Sequence, residues 1–183
     1  LRMISQEQNR TIHAIDKPTI AAINGVAIQT GFSLALACDF RIAAEEAHKG
    51  NATLRFALLP DEGGQHLLIQ HLGLAKTLDF LMRKRIVSAE EARELGLVHE
   101  VVPRSELANT ARDLARELAI GPQVAMRFLK RSIYNAAELT FEQACDEIAA
   151  KTAVVDYHPD ALDGIASFQE KREPKFNAWL DGN

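Results

Sequence analysis

Two adjacent carboxylates, Asp61 and Glu62, stand where an apolar segment meets a glycine-rich turn. The surrounding sequence, ALLPDEGGQHLL, places Pro60 before the pair and Gly63-Gly64 after it. A carboxylate held among apolar side chains has a raised pKa and can serve as a general acid or base near neutral pH. The same residues can instead cap a helix that starts near Gly63, where negative charge is favourable. The pattern alone favours capping, and only one of two neighbouring carboxylates is expected to face a pocket.

A second segment, NGVAIQTGFSLALACD, joins a predicted strand to a predicted buried helix through a loop that contains Gly31. Backbone N–H groups at a helix N-terminus have no partner within the helix, and the helix dipole adds positive potential there. Such groups can stabilise an oxyanion that develops during a reaction. Because strands, glycine loops and helices often follow one another without any catalytic role, this pattern by itself is a weak signal.

Other candidate groups give weaker signals. His66 and His71 are not spaced to act as metal ligands on one helix face, and no Cys/His cluster predicts a metal site, so we expect none. Ser33 has no histidine and acid in a nucleophile-elbow pattern, which argues against serine hydrolase chemistry. A small basic cluster that begins at Lys171 lies beside Phe168. It is either a solvated helix end or an anion contact.

The composition is that of an ordinary globular chain. Of the 183 residues, 47% are hydrophobic and 25% are charged, and the net charge is −4. This charge argues against a nucleic-acid partner, and no apolar stretch is long enough for a membrane span. Cys38 and Cys145 stand in apolar contexts, which predicts buried, reduced thiols in a cytoplasmic protein. Because the sequence at Leu1 already reads as part of a helix, we expect an N-terminal portion of the parent protein to be missing.

The order of predicted elements favours an α/β fold with an appended helical part. The first part reads as a helix over residues 4–15, a strand in TIAAING, a loop in VAIQTG, a buried helix over residues 32–39 and a strand in FRIAAEEA. Two helical segments separated by Gly73 follow, then a short helix with a capping box of Ser88 and Glu91, and a strand in LVHEVVP. Further helices are predicted over residues 106–119, 123–138, 141–155 and 160–172, the third with a capping box of Thr140 and Gln143.

Four segments of the chain, taken in order, match the sequence pattern of one family. They are KPTIAAINGVAIQTGFSLALACDFRIAAEEA, LLPDEGGQHLL, KRIVSAEEARELGLVHEVVP and DGIASFQEKREPKF, which together extend over nearly all of residues 17–176. These segments resemble the crotonase family, the enoyl-CoA hydratases and isomerases. The resemblance implies a ClpP/crotonase-like spiral of β-β-α turns over residues 1–120 and a helical trimerisation region over residues 121–183. It also implies homotrimers or homohexamers that act on acyl-CoA thioesters, with coenzyme A as part of the substrate and no separate cofactor.

The resemblance implies roles for individual residues as well. Family members hold the thioester carbonyl in an oxyanion hole of two backbone N–H groups. One of these matches Thr30, and the other comes from a segment that precedes Leu1. Hydratases use two glutamates to activate water, but the matching residues here are Ser33 and Thr53, which cannot serve as that acid or base at neutral pH. The expected substrate-binding residues are Ala27, Gln29, Gly31, Ser33, Thr53, Pro60, Phe168 and Lys171.

Asp61 falls where several family members place a catalytic aspartate, and the turn is most similar to that of phenylacetate-pathway isomerases, which also lack both glutamates. We therefore expect double-bond isomerisation, in which Asp61 removes a proton and returns it further along the acyl chain. Glu62 is expected to be a helix-start residue that at most assists. The alternatives are a hydratase that uses Asp61, alone or with Glu62, in place of the two glutamates, a non-catalytic acyl-CoA-binding subunit, and, more remotely, a thioester hydrolase or dehalogenase.

Overall fold

A computed structural model describes residues 2–180 of the chain. The helices in this part are α1 (Arg2–Ala14), α2 (Thr30–Ala37), α3 (Gly64–Met82), α4 (Ala89–Glu94), α5 (Leu107–Ile120), α6 (Gln123–Ala136), α7 (Phe141–Val155) and α8 (Pro159–Glu170). The strands are β1 (Ile20–Ile23), β2 (Ala27–Ile28), β3 (Phe40–Ala44), β4 (His48–Gly50), β5 (Ile86–Ser88) and β6 (Glu100–Val102). Short 3-10 helices cover Thr53–Phe56 and Ala178–Leu180.

The described residues divide into two compact units. Unit 1 comprises residues 2–15 and 19–113, and unit 2 comprises residues 16–18 and 114–180. Unit 1 holds both sheets and helices α1 to α4, while unit 2 holds α6, α7 and α8. The division falls inside α5, whereas the domain boundary expected from the sequence lies at the end of that helix. That boundary stays a prediction.

Unit 1 is built from β-β-α turns. β1, β2 and α2 form one turn, and β3, β4 and α3 form the next. The first strands of these turns pair in parallel in one sheet, ordered β1-β3-β6, while the second strands pair in another, ordered β2-β4-β5. Apolar side chains from α2, α3 and both sheets form one core, in which the rings of Phe32 and Phe80 stack at 5.7 Å between centroids. The core thereby fixes α2 and α3 side by side.

Several predicted elements need correction. The VAIQTG segment is not a simple loop, because it contains β2 and the start of α2 at Thr30. β4 and β5 were not predicted. By contrast, the two helical segments separated by Gly73 are confirmed, because Gly73 interrupts α3 with a non-helical φ of 74° and ψ of 169°. Ser88 caps α4 as expected, but the Glu91 side chain binds Arg85 instead of completing the box.

The two cysteines also differ from the expectation of buried thiols. Cys38 is partly buried, and Cys145 is exposed on α7. Within the described residues, neither cysteine forms a disulfide bond. Cys145 is exposed because no residue of α7 is fully buried in the described chain, so the apolar sequence around this cysteine does not enclose it.

Unit 2 is a helical region held by polar contacts as well as packing. Asp16 forms an ion pair with Arg127 on α6, and the buried Lys130 donates to the carbonyl oxygen of Lys17. The capping box of Thr140 and Gln143 at the start of α7 is complete, as predicted. Long apolar side chains on α8, including Phe168, remain exposed. Within the described chain, no helix has the length and apolar character that crossing a membrane requires.

Candidate active site

The turn between Thr53 and α3 sets the positions of the two adjacent carboxylates. The 3-10 helix ends at Ala57, which has a left-handed backbone conformation, and α3 begins after Gly63. Asp61 is exposed, whereas Glu62 is only 2% exposed and is among the largest fully buried side chains of the described residues. The pair is therefore split, with the opposite burial from the expected one. The apolar side chains that precede Pro60 are exposed as well, so they do not enclose either carboxylate.

Side chains of α1 hold the backbone of the pair. Gln6 Nε2 donates to the carbonyl oxygen of Asp61 at 2.8 Å, and Asn9 Nδ2 donates to the carbonyl oxygen of Glu62 at 2.8 Å. Ser5 Oγ lies 3.5 Å from Asp61 Oδ2. Gln6 and Asn9 are three positions apart and share a helix face. These contacts were not predicted, and the i, i+3 spacing of two amide side chains on α1 was the only signal for them.

The Glu62 carboxylate lies at the N-terminus of α2. Its Oε1 accepts a hydrogen bond from Thr30 Oγ1 at 3.2 Å. Its Oε2 is buried and has no hydrogen-bond partner among residues 4–180. Thr30 is the first residue of α2, so its backbone N–H has no partner within the helix. The structure thus brings together the predicted oxyanion-hole residue and one carboxylate, and that carboxylate belongs to Glu62.

The two residues at the hydratase glutamate positions contribute no acid to this site. Ser33 is 1% exposed, and its Oγ has no hydrogen-bond partner in the described part of the chain. A Cβ added to Gly64 would lie 2.1 Å from that Oγ, so α3 begins in close contact with α2. Thr53 is 2% exposed, and its Oγ1 donates to Asn51 Oδ1 at 2.7 Å. The Thr53 hydroxyl is therefore engaged in a hydrogen bond within its own turn.

The loop that leads into α2 has an unusual backbone. Gln29 has a φ of 52° and a ψ of −109°, a combination that non-glycine residues avoid. Its N–H donates to the carbonyl oxygen of Gly50 at 2.9 Å, and its own carbonyl oxygen accepts from Ser33 N at 2.9 Å. The neighbouring residues Ala27 and Gly31 are close, since a Cβ on Gly31 would lie 3.9 Å from that of Ala27. The strained loop therefore fixes where the first N–H groups of α2 point.

A cleft of about 330 Å³ lies against Glu62 within unit 1. Most of the side chains that line it are polar, with Gln6, Asn9, Arg10 and His13 from α1 on one side and Glu62 and His66 on the other. A cleft with a buried carboxylate in its wall is suited to proton transfer on a bound molecule.

The other residues predicted to bind substrate are Pro60, Phe168 and Lys171. Pro60 is partly buried at the turn. Phe168 and Lys171 belong to unit 2, where Phe168 is 86% exposed and Lys171 ends α8 in a left-handed conformation. Among the described residues, no group of three or more His, Cys, Asp or Glu side chains is placed to hold a metal ion. The contacts of Phe168 and Lys171 with substrate stay predictions.

Comparison of the chain with known proteins gives consistent similarities. A family model described as enoyl-CoA hydratase/isomerase matches residues 2–178. Carnitinyl-CoA dehydratases from Salmonella agona and Salmonella choleraesuis are each 38% identical to the chain over 169 residues. These residues amount to 89% of this chain and 64% of each relative, so the chain spans less than two thirds of the length of these relatives.

Solved structures agree with these sequence matches. A crystal structure of an enoyl-CoA hydratase from Bacillus anthracis superposes with a TM-score of 0.92 and 33% identity, covering 96% of this chain and 68% of that one. An enoyl-CoA hydratase/isomerase from Cupriavidus metallidurans gives a TM-score of 0.91 and 28% identity, covering 96% and 66%. The α/β fold with β-β-α turns and a helical C-terminal region, expected from the sequence, is thereby confirmed.

Proposed function

The chain belongs to the enoyl-CoA hydratase/isomerase family, and on this premise we propose that it is an enzyme that moves a carbon–carbon double bond within an acyl-CoA thioester. The proposal is supported above all by the acids of the site. A carboxylate of the Asp61–Glu62 pair lies at the N-terminus of α2, whereas Ser33 and Thr53 provide no acid at the two hydratase positions. A shift of a double bond needs only one base, which takes a proton from one carbon and returns it to another.

The proposed reaction proceeds through a dienolate. The Thr30 N–H donates to the thioester carbonyl oxygen, which makes the protons on the carbon between that carbonyl and the double bond more acidic. A carboxylate of the pair removes one of these protons, and the electron pair of the broken C–H bond spreads onto the carbonyl oxygen. The same carboxylate then protonates the far end of the conjugated system. The thioester regains its neutral carbonyl, and the double bond has moved by one position.

A hydratase or dehydratase is the second candidate. It is favoured by the 38% identity to carnitinyl-CoA dehydratases. In that case the carboxylate would add or remove the elements of water across the double bond, and it would act without a second glutamate. The proposed likeness to the phenylacetate-pathway isomerases speaks for isomerisation instead.

The two candidates are separated by their products. The protein is incubated with a short-chain 3-enoyl-CoA and, separately, with the matching 2-enoyl-CoA, and the products are identified by mass spectrometry and proton NMR. We expect the 3-enoyl-CoA to yield the 2-enoyl-CoA with no change in mass. A 3-hydroxyacyl-CoA, heavier by one water, formed from the 2-enoyl-CoA without isomerisation would overturn the isomerase and favour the hydratase. Tight binding of both esters with no product would favour an acyl-CoA-binding subunit.

The remaining features of the proposal follow from family membership. We propose a homotrimer or homohexamer in the cytoplasm that uses no cofactor, because coenzyme A enters as part of the substrate. The exposed apolar side chains of α8 in unit 2, among them Leu162, Ile165 and Phe168, are available for such an assembly. Light scattering coupled to size-exclusion chromatography measures the oligomeric state directly.

A further inference from the structure

We infer that Glu62, and not Asp61, carries the transferred proton, and that the Thr30 hydroxyl is its positioning partner. This inference rests on the proposed function, because it names the base for that proton transfer. The family's aspartate position would assign the base to Asp61. Four features of the described residues favour its neighbour: burial, the hydrogen bond to Thr30, the unpartnered Oε2 and the contact with the cleft.

Burial separates the two carboxylates. Asp61 is exposed, so water solvates its charge and competes for any proton it handles. Glu62 is 2% exposed, so bulk water is kept away from its carboxylate. A carboxylate that can take up a proton and release it again within one site is the requirement for a 1,3-shift.

The two oxygens of Glu62 have different environments. Oε1 accepts from Thr30 Oγ1 at 3.2 Å, which fixes the orientation of the carboxylate plane. Oε2 is buried, and no hydrogen-bond donor among residues 4–180 reaches it. A buried carboxylate oxygen without a donor is costly, and a catalytic role is one of the reasons for which native proteins retain such a group. Oε2 is therefore the oxygen that takes the proton.

The position of Glu62 at the N-terminus of α2 keeps the charge of the site constant during proton transfer. Before proton transfer, the negative charge resides on Glu62 next to the first turn of α2. After transfer, Glu62 is neutral and the charge resides on the thioester oxygen, which the Thr30 N–H holds at the same helix N-terminus. The site therefore carries one negative charge throughout, and the helix dipole stabilises that charge in both states. The exposed Asp61 has no contact with the N-terminus of α2 among the hydrogen bonds of the described residues.

The backbone of Glu62 is also held firmly. Asn9, itself 6% exposed, donates from Nδ2 to the carbonyl oxygen of Glu62 at 2.8 Å. Because Asn9 and Glu62 line the same cleft, a molecule bound there reaches the carboxylate from the side of α1. Glu62 lines this cleft, and the hydrogen bonds of catalytic groups commonly tighten only when substrate binds.

The test compares isosteric variants in the complete protein. Glu62→Gln keeps the size of the side chain and its bond to Thr30 but cannot accept a proton, and Glu62→Asp keeps the acid while withdrawing it from α2. Asp61→Asn removes the neighbouring acid. Deuterium uptake from D2O at the carbon next to the thioester is followed by NMR with butyryl-CoA, and isomerisation is followed with a 3-enoyl-CoA. Thermal melting establishes that each variant is folded.

We expect Glu62→Gln to slow deuterium uptake by about a thousandfold and Glu62→Asp to retain a part of the rate, while Asp61→Asn loses less than tenfold. A larger loss in Asp61→Asn than in Glu62→Gln overturns the inference and returns the role to Asp61. Deuterium uptake without double-bond migration in the unaltered protein would sink the proposed isomerase and still decide between the two acids. If the unaltered protein takes up no deuterium, both proposals fail.

Thr30 has its own test as a positioning residue. Thr30→Val removes the hydroxyl that donates to Oε1 and so releases the orientation of the Glu62 carboxylate. We expect kcat to fall by roughly tenfold with little change in KM, and Thr30→Ser, which keeps the hydroxyl, to restore kcat. An unchanged kcat in Thr30→Val, or an equal loss in Thr30→Ser, would contradict the positioning role, since a merely structural threonine would alter stability and not kcat alone.

Discussion

Gln29 holds the backbone that aims the first turn of α2. Its φ of 52° and ψ of −109° lie outside the wells that side chains favour, and such a conformation costs about 1–3 kcal/mol. The cost is tolerated because the bonds of Gln29 with Gly50 and Ser33 hold both sides of the peptide. Strain of this kind concentrates where a site requires one backbone geometry. The backbone strain at Gln29 therefore lowers the stability of the fold while it fixes the orientation of the Thr30 N–H.

Replacing Gln29 by glycine tests whether the backbone at this position is strained. Glycine adopts the observed angles without strain, although it loses more backbone entropy on folding than other residues do. We expect Gln29→Gly to raise the free energy of unfolding by about 1 kcal/mol in urea titrations. Gln29→Ala is the matched control, because alanine shortens the side chain and keeps the strain. If the alanine variant is as stable as the glycine variant, the backbone of Gln29 is not strained.

The choice between Asp61 and Glu62 shows how far single residues can be interpreted from sequence. The pattern PDEGG predicts a carboxylate at a tight turn, and the structure has one there. The buried acid is Glu62, whose carbonyl oxygen Asn9 binds from 53 positions away. Thr30 likewise reaches Glu62 from another turn of the fold. Only such long-range contacts give the two adjacent acids different environments, and a local sequence pattern carries no information about these contacts.

Strand β4 contains a lysine in an apolar environment. Lys49 is 1% exposed, and its Nζ is buried with no hydrogen-bond partner among residues 4–180. Its neighbours in the sheet are Ala27 on β2 and Val87 on β5, which both belong to the core. Burial lowers the pKa of the Lys49 ammonium to about 8, because the charged form loses its hydration. The strand therefore carries a destabilising group in its centre.

Lys49→Met should stabilise unit 1. At pH 7 the wild-type protein must either bury the charge or release its proton, and methionine avoids both while keeping the chain length. We expect a gain on the order of 2 kcal/mol in the free energy of unfolding. Since the folded pKa is lowered from 10.5, wild-type stability should also rise as pH increases from about 8 toward 10.5, and Lys49→Met should abolish this rise.

The exposed Lys76 on α3 provides the control for Lys49. Lys76→Met changes the same chemical group in contact with water and should alter stability by less than about 0.5 kcal/mol. A rise in wild-type stability with pH that persists in Lys49→Met would assign the effect to another group. Equal gains in the two variants would likewise mean that burial of Lys49 is not the cause.

The elements differ in how well the sequence predicts them. Helices of unit 2 follow from local signals, since the capping box at Thr140 and the break before α6 depend on neighbouring residues. β4 and β5 do not, because each has three residues and is defined by pairing with a strand far along the chain. Lys49 further hides β4, as a charged residue is rarely central to a strand in the core. The family resemblance supplied the topology that local patterns could not.

The core of unit 1 encloses a group of basic side chains around Arg41. The Arg41 guanidinium is buried and donates to the carbonyl oxygens of Leu97 and Cys38, at 2.9 and 2.6 Å. His99 Nδ1 accepts from the Arg41 N–H at 3.1 Å. Burial, followed by the positive charge of Arg41, lowers the pKa of both His71 and His99, that of His71 to about 4. The folded protein therefore keeps these imidazoles neutral.

Acid should destabilise the folded chain in a window set by these histidines. The unfolded state takes up a proton at His71 near pH 6.5, while the folded state does so only near pH 4. The contribution of neutral His71 to the free energy of unfolding is thus fully present above pH 6.5, and it is lost as the pH drops toward 4. Because His71 is only partly buried, we expect its share of the loss to be on the order of 1–2 kcal/mol. Carboxylates with lowered pKa values, such as Asp163 beside Arg172, weaken the fold only at still lower pH.

His71→Gln separates this contribution from the rest. Glutamine does not titrate in this range and can still donate to the Leu36 carbonyl oxygen, which His71 Nε2 approaches at 3.4 Å. Urea unfolding measured between pH 7 and 4.5 should show a shallower loss of stability in His71→Gln than in the wild type. Leu74→Ala, an exposed change on the same helix, should leave the slope intact. A wild-type slope in His71→Gln would show that the proton uptake that weakens the fold occurs at groups other than His71, and the predicted share of His71 would then be wrong.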